Sequence, residues 1–328
     1  MQVVDYNDQH REAWQEFVRR HPDGTVFHGI GWKNVVGRSY RLPSAYRLIL
    51  DGKRVIGVAP FFRARSLSFK STLLSLPYAP YAGMLLDQGL DEGAAVEALG
   101  WKDEELTIRR LTPQARSGQL VTMMIDLPEE AGELWKGLKQ EPRKHVRKAE
   151  RNGVEFLTEG EFLDDFIKCY RVHMKRFGTP IHKRSFFRNI LTELPENSEI
   201  WAIKKQDKVI GAQIVLFDKG SICLYTGFSL PEYNSIRAGM LLAWGCIREA
   251  IDRGFKRLDY GRSKRDSGPY NFKLQWGAKP VALSYYRLQN GSRKYTGVPK
   301  PGRLSQVWSR LPRLVTDPLG PLLRRYVP

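Results

Sequence analysis

Apolar and polar residues change period several times along the chain, and the changes mark its elements. Residues 2–6 read as a strand. Trp14, Phe17 and Val18 then recur at helical spacing, with Asp8 placed to cap that helix. Residues 30–36 add a further helical turn or two. Residues 46–62 hold two apolar runs around Asp51-Gly52, a strong hairpin signal. Residues 72–87 continue the meander, with Pro77 and Pro80 marking an irregular edge. Residues 105–111 and 119–127 read as strands, and residues 134–151 as one long basic helix that joins two units.

The hairpin pattern returns at residues 200–217. Val55-Ile56-Gly57 and Val209-Ile210-Gly211 stand in the same strand, polar turn, strand context, which points to an internal duplication. Around the second copy, residues 161–177 and 183–194 predict helices. Residues 199–205, 208–217 and 221–228 predict a three-strand meander. Residues 238–253 predict an amphipathic helix closed by Gly254, followed by strands at 256–260 and 281–288. The expectation is an α/β protein, a mixed sheet with helices on its faces, in two units at 1–152 and 153–297 with a tail at 298–328.

The tail differs in kind. Lys300, Arg303, Arg310, Arg313, Arg324 and Arg325 stand against one acid, Asp317, and Pro299, Pro301, Pro312, Pro318 and Pro321 interrupt it. Leu304, Val307, Trp308, Leu311 and Leu314 are spaced like one face of a helix. The plainer reading is a strap packed on the first unit. The sharper one is a basic amphipathic contact with an anionic membrane.

Composition narrows the function. A length of 328 residues suits two domains, and 42% hydrophobic residues suit a folded chain. A net charge of +18 implies anionic partners without choosing among phosphates, nucleic acid and acidic lipid. Cys169, Cys223 and Cys246 form no CxxC pair and the six histidines no HExxH, so neither a disulfide framework nor a metal site is expected. Gly-x-Ser-x-Gly, Walker and Rossmann patterns are absent. The first residues do not read as a signal peptide, and no apolar run is long enough for a bilayer. The location expected is cytoplasmic, with peripheral contact at the inner membrane as the tail's second reading.

Candidate chemistry concentrates in residues 258–279, where charges, aromatics and glycines mix. Lys273 lies in Asn-Phe-Lys-Leu-Gln-Trp. Read as extended chain, this run puts Phe272, Leu274 and Trp276 on one side, Lys273 and Gln275 on the other. A lysine beside apolar walls can present its cation to a developing oxyanion. Asp259 and Tyr260 end a strand and could orient an amine or relay its proton, although Asp259 could equally pair with Arg262. Arg262 suits a phosphate or carboxylate, and Tyr270 and Gln275 of the same stretch are taken as substrate contacts. Tyr78 and Tyr81, in Pro-Tyr-Ala-Pro-Tyr-Ala-Gly, could line a cleft or pack on an edge. Lys183 and Arg184 are candidates for acceptor phosphates. Lys144, Arg147, Lys148 and Arg151 form one basic helical stripe, an anion contact or a solvated face.

Asp259-Tyr-Gly-Arg-Ser263, Gly268-Pro-Tyr-Asn-Phe-Lys273 and Gln275-Trp-Gly-Ala278 resemble the late signature of FemAB-type proteins. Arg143, Val146-Arg-Lys-Ala149 and Gly153 supply a second match, and Phe177-Gly-Thr-Pro180 with Phe186-Phe187 a third. That family is related to the GNAT N-acyltransferase superfamily and includes the peptidoglycan bridge aminoacyltransferases. The chain is most similar to the subgroup that accompanies exosortase (PEP-CTERM) and exopolysaccharide systems. The resemblance implies two tandem GNAT-like domains, each a mixed, largely antiparallel sheet with flanking helices. It implies an N-acyltransferase moving an aminoacyl group to an amine of a phosphorylated cell-envelope or exopolysaccharide precursor. It implies no tightly bound cofactor, aminoacyl-tRNA or acyl-CoA as co-substrate, and a lysine in the similar Phe-Lys motif, here Lys273, near the reacting groups. In that reading the basic stripe faces the phosphates of tRNA or of a diphosphate carrier.

One departure bears on the donor. GNAT enzymes cradle the acetyl-CoA pyrophosphate with a Gln/Arg-x-x-Gly-x-Gly/Ala loop at a helix start. The corresponding residues, Asn234-Ser-Ile-Arg-Ala-Gly-Met240, keep Arg237 and Gly239 and lose the first glycine. This favours aminoacyl-tRNA over acyl-CoA. The rival readings are an acyl-CoA-dependent N-acyltransferase and a non-enzymatic polyanion-binding protein; no nucleic-acid motif accompanies the interleaved basic and aromatic residues.

Overall fold

Hairpins, caps and a proline decide most of the local structure. The computed structural model describes residues 1–65, 71–101, 103–112, 119–289, 292–296 and 303–326. β1 (Gln2–Asp5) is followed by α1 (Arg11–Arg20) and α2 (Ile30–Tyr40). The spacing of Trp14, Phe17 and Val18 buries all three. Asn7, not Asp8, does the capping: its side chain accepts from the Gln9 amide in the short 3-10 turn ahead of α1. β2 (Ser44–Asp51) turns through Gly52 and Lys53 into β3 (Arg54–Arg65), with Gly52 in the left-handed region at φ +57°. β4 (Ser71–Ser75), β5 (Leu85–Leu86), α3 (Glu92–Ala98), β6 (Leu106–Leu111) and β7 (Leu120–Asp126) complete the first copy.

The expected long helix is two, α4 (Ala131–Gly137) and α5 (Gln140–Arg151). Pro142 has no N–H to give the Leu138 carbonyl, so a helix can begin there but not run through. β8 (Val154–Leu157), α6 (Leu163–Arg176), α7 (Arg184–Glu193), β9 (Ser198–Lys205), β10 (Lys208–Asp218) and β11 (Ser221–Ser229) follow. Next come α8 (Ala238–Asp252), β12 (Arg257–Lys264), α9 (Gly268–Leu274), β13 (Lys279–Gln289) and β14 (Ser292–Tyr295). α9 corrects the extended reading of the Phe272–Trp276 run. The Ser267 side chain accepts from the Tyr270 amide and Pro269 stands in the first turn, a helix start.

The duplication is visible in the hydrogen bonding. Leu50 pairs with Val55 and Ile49 with Gly57; Lys204 pairs with Val209 and Ile203 with Gly211. Ile56 and Ile210 are each skipped, so both copies carry a bulge at the same residue of the same tripeptide. The orders β1-β2-β3-β4-β6 and β8-β9-β10-β11-β12 correspond, and β4–β6 and β11–β12 are the two parallel pairs. The next strand is exchanged. β7, which follows β6 in the chain, pairs with β12; β13, which follows β12, pairs with β6. β13 also pairs with β7, so among the described residues fourteen strands form one continuous, mostly antiparallel sheet. Sheet pairing therefore crosses residue 152, where the sequence places a unit boundary; the expected boundary at 297–298 lies outside the described residues.

One face of the sheet is covered by a core of Trp14, Trp32, Phe166 and Phe186, where α2 packs on α7. The other face holds Trp201, Trp244 and Trp276 under α5 and α8. The tail forms α10 (Arg303–Arg310) and α11 (Arg313–Leu323). Both helices pack on α6, in the second half, and the end of the tail also meets the first unit: Tyr78 donates to the Arg324 carbonyl at 3.1 Å and Arg325 Nη2 to the Arg41 carbonyl at 3.4 Å. Lys300, Pro299 and Pro301 lie outside the described residues. Among the described residues, no helix is long and apolar enough to cross a membrane.

Candidate active site

β11 and β12 lie side by side only through Ser221–Cys223 and Arg257–Asp259, and then part. The cause is in β12: its register on β7 shifts between Asp259 and Arg262, and Gly261 takes φ +75°. A bulge with glycine in the left-handed region bends the strand away from its neighbour. Lys273, from α9, reaches the gap. Its Nζ donates to the Gly261 carbonyl at 2.9 Å and the Arg262 carbonyl at 3.1 Å, and lies 5.6 Å from the centre of the Tyr260 ring. Two of the three ammonium donors are thereby used, leaving one for a ligand. Burial lowers the Lys273 pKa to about 8, against the opposing pull of Asp259.

Asp259 is buried and anchored. It accepts from Tyr81 Oη at 2.7 Å, from the Gly261 amide at 2.8 Å and from Thr122 Oγ1. Burial raises its pKa and these donors oppose the rise. It does not pair with Arg262, whose Nη1 donates to Tyr285 Oη at 2.9 Å; that hydroxyl in turn donates to the Pro80 carbonyl at 2.5 Å. Arg109 stands beside Arg262 with its guanidinium 5.5 Å from the Tyr285 ring centre, and burial lowers its pKa.

A cleft of about 580 Å³ opens on the α8 side of the parted strands. Leu224, Phe228, Tyr260, Phe272 and Gln275 line it, and Tyr260 is the ring that lies beside the Lys273 amine. Arg237 and Gly239, at the start of α8, line it too. Arg237 precedes the helix at φ +65°, and a Cβ on Gly239 would come within 2.9 Å of Ser229 Oγ, so glycine lets the end of β11 approach. His145 of α5 lines the same cleft; burial lowers its pKa, and Arg237 adds to the effect.

The structure thus gathers Lys273, Asp259, Tyr260, Arg262, Gln275 and Tyr81. Tyr270 is buried in the first turn of α9. Tyr78 lies nearby in an aromatic cluster with Tyr40, His182 and Phe186, its carbonyl accepting from Tyr225 Oη at 3.0 Å. Arg184 lies apart, paired with Asp164 at 2.8 Å on the surface, and Lys183 stands just ahead of α7. Lys144, Arg147, Lys148 and Arg151 are exposed on α5, the helix whose His145 reaches the cleft. Thr122, Arg109 and His145 were not read from the sequence. Only Thr122 left a signal there, one hydroxyl in the apolar run of residues 120–125. Among the described residues, no three His, Cys, Asp or Glu side chains gather as a metal site.

Residues 137–274, which include α5, Lys273 and the cleft's lining residues except Gln275, match the model of the acetyltransferase (GNAT) domain. The structure of FemX superposes with a TM-score of 0.64 at 14% identity, over 87% of this chain and 96% of that one. The C-terminal domain of a putative lysylphosphatidylglycerol synthetase from Agrobacterium fabrum gives 0.55 at 13% identity, over 85% and 91%. A tandem GNAT protein from the clavulanic acid biosynthesis pathway gives 0.53 at 12% identity, over 89% and 99%. At these identities the likeness is one of fold. No curated protein sequence matches the chain. A matched stretch and a duplicated half thus give residues 137–274 the likeness of an acetyltransferase (GNAT) domain, in a chain whose tandem fold is the one seen in FemX and in the tandem GNAT protein.

Proposed function

We propose that the protein transfers an aminoacyl group from a tRNA ester to an amine of a phosphorylated cell-envelope or exopolysaccharide precursor. The observation that carries this reading is the Lys273 amine, held where β11 and β12 part and 5.6 Å from the ring of Tyr260, a residue that lines the α8 cleft. The donor carbonyl would sit in the cleft beside it. The acceptor amine attacks the carbonyl carbon and a C–N bond forms. The carbonyl electron pair moves to oxygen, where the remaining N–H of Lys273 meets the charge. Collapse of the adduct breaks the C–O bond to the tRNA ribose, and the proton lost by the amine passes through solvent to that oxygen. No covalent enzyme intermediate is needed; binding and orientation supply the rest.

The exposed stripe of Lys144, Arg147, Lys148 and Arg151 beside the cleft supports a polyanionic donor. Arg262 and Arg109, together around Tyr285, support a phosphate or carboxylate on the acceptor. FemX and the lysylphosphatidylglycerol synthetase domain share the fold, which is compatible with aminoacyl transfer. A second reading, an acyl-CoA donor, is favoured by the α8 N-terminus, whose residues line the cleft.

Calorimetry separates the two. Charged tRNA should bind, with affinity falling steeply as salt rises. Micromolar, salt-insensitive binding of acetyl-CoA with no binding of charged tRNA would establish the second reading and discard the first.

A further inference from the structure

α11 is inside out for a helix on a protein surface. Thr316 and Gly320, one turn apart, face the protein; a Cβ on Gly320 would come within 2.9 Å of Ile181 Cγ1. The opposite face carries Leu314, Val315, Pro318, Leu319 and Leu322, five apolar residues on one stripe, all exposed. Leu314 is 91% exposed and Leu322 60%. Surface helices ordinarily turn such a stripe inward. Exposed Val307 on α10 adds to it.

The segment is nevertheless held in place from within. Arg324 Nε donates to His182 Nε2 at 3.1 Å, Tyr78 donates to the Arg324 carbonyl, and the Arg324 guanidinium lies 5.6 Å from the Tyr78 ring centre. The apolar stripe is therefore presented by a docked helix rather than by a loose end. Its neighbours are basic: Arg310, Arg313 and Arg325 are exposed, and Asp317 is the single acid between residues 303 and 326.

We propose that the outer face of α10 and α11 docks on a bilayer surface that contains anionic lipid. The leucine stripe enters the boundary between headgroups and acyl chains, and the arginines face the lipid phosphates. A second copy of the chain fits the face less well. Each copy carries +18, so their basic rims would repel. A helix of 11 residues is about 16 Å long, and one such stripe falls short of the ~1,200 Å² that a stable protein interface buries. The proposal stands apart from the acyl-transfer reading.

The test is flotation of the full chain with vesicles of equal parts phosphatidylglycerol and phosphatidylcholine. The parent should float with them, and salt should release it. Leu314→Gln with Leu322→Gln should weaken binding by about tenfold or more. Arg310→Gln with Arg313→Gln should weaken it by roughly fivefold per arginine. All four side chains are exposed, so thermal melts of the variants should match the parent. A parent that does not float, or a leucine variant that floats as well as the parent, would overturn the proposal. So would a dimer in sedimentation that the leucine variant dissolves.

Discussion

The Lys273 ammonium is fixed by two carbonyl oxygens and depressed by burial to a pKa of about 8. As an oxyanion donor it works only when protonated. The Lys273-dependent part of turnover, read as the ratio of the parent's rate to that of a variant without the amine, should therefore be level below pH 8 and fall as pH rises through about 8; a general base at this position would give the opposite limb. Lys273→Met keeps much of the stem and removes the charge. It should lower turnover about a hundredfold or more while substrate affinity changes less. A folded variant with full turnover in the tRNA-dependent assay would remove Lys273 from the chemistry. The stretch that holds Lys273 stood out in the sequence because its aromatic residues made it expensive to leave as a solvated loop, and the structure buries Tyr270 and Trp276. The partners of Asp259 did not stand out. Tyr81 and Thr122 lie far away in sequence, and no local pattern records which side chain a buried carboxylate will meet.

Elements were read by period, and the two misreadings have local causes. Phe272, Leu274 and Trp276 alternate like a strand, but Phe272 and Trp276 also lie one helical turn apart; the Ser267 cap and Pro269 decided between them. Pro142, inside a strong basic amphipathic pattern, was enough to split the expected helix. The repeated hairpin was plain, since tripeptide and turn recur together, although its shared bulge shows only in the pairing. α8 offers a test at this scale. Gly245 faces Phe156 of β8, and an added Cβ would stand 2.2 Å from the ring. Gly245→Ala should gain up to about 1 kcal/mol of helix propensity. It should lose more to overpacking, for a net destabilisation of about 1–3 kcal/mol in urea unfolding. Unchanged stability would mean that the Phe156 ring moves aside without cost.

The whole molecule is a duplication whose halves have traded a strand, and the sequence could show only the first part of that. Duplication leaves a repeated motif; exchange of β7 and β13 leaves none, because either partner satisfies the same apolar pattern. Residues 1–152 alone would lack β13 beside β6, and residues 153–328 would lack β7 beside β12. Each piece made alone should be insoluble or unfolded by circular dichroism, and co-expression should recover soluble complex. Two independently folded pieces would show that the exchange is dispensable. The exchange also sets an order of events during synthesis. β13 stands at the centre of the sheet, yet the ribosome makes it after both strands that it lies between, β6 and β7. Until it emerges, β6 is an open edge, the kind of surface on which nascent chains stick to one another. The seam of this protein is sewn last, so its exposure to misassembly is set by the time between translating residue 111 and residue 289.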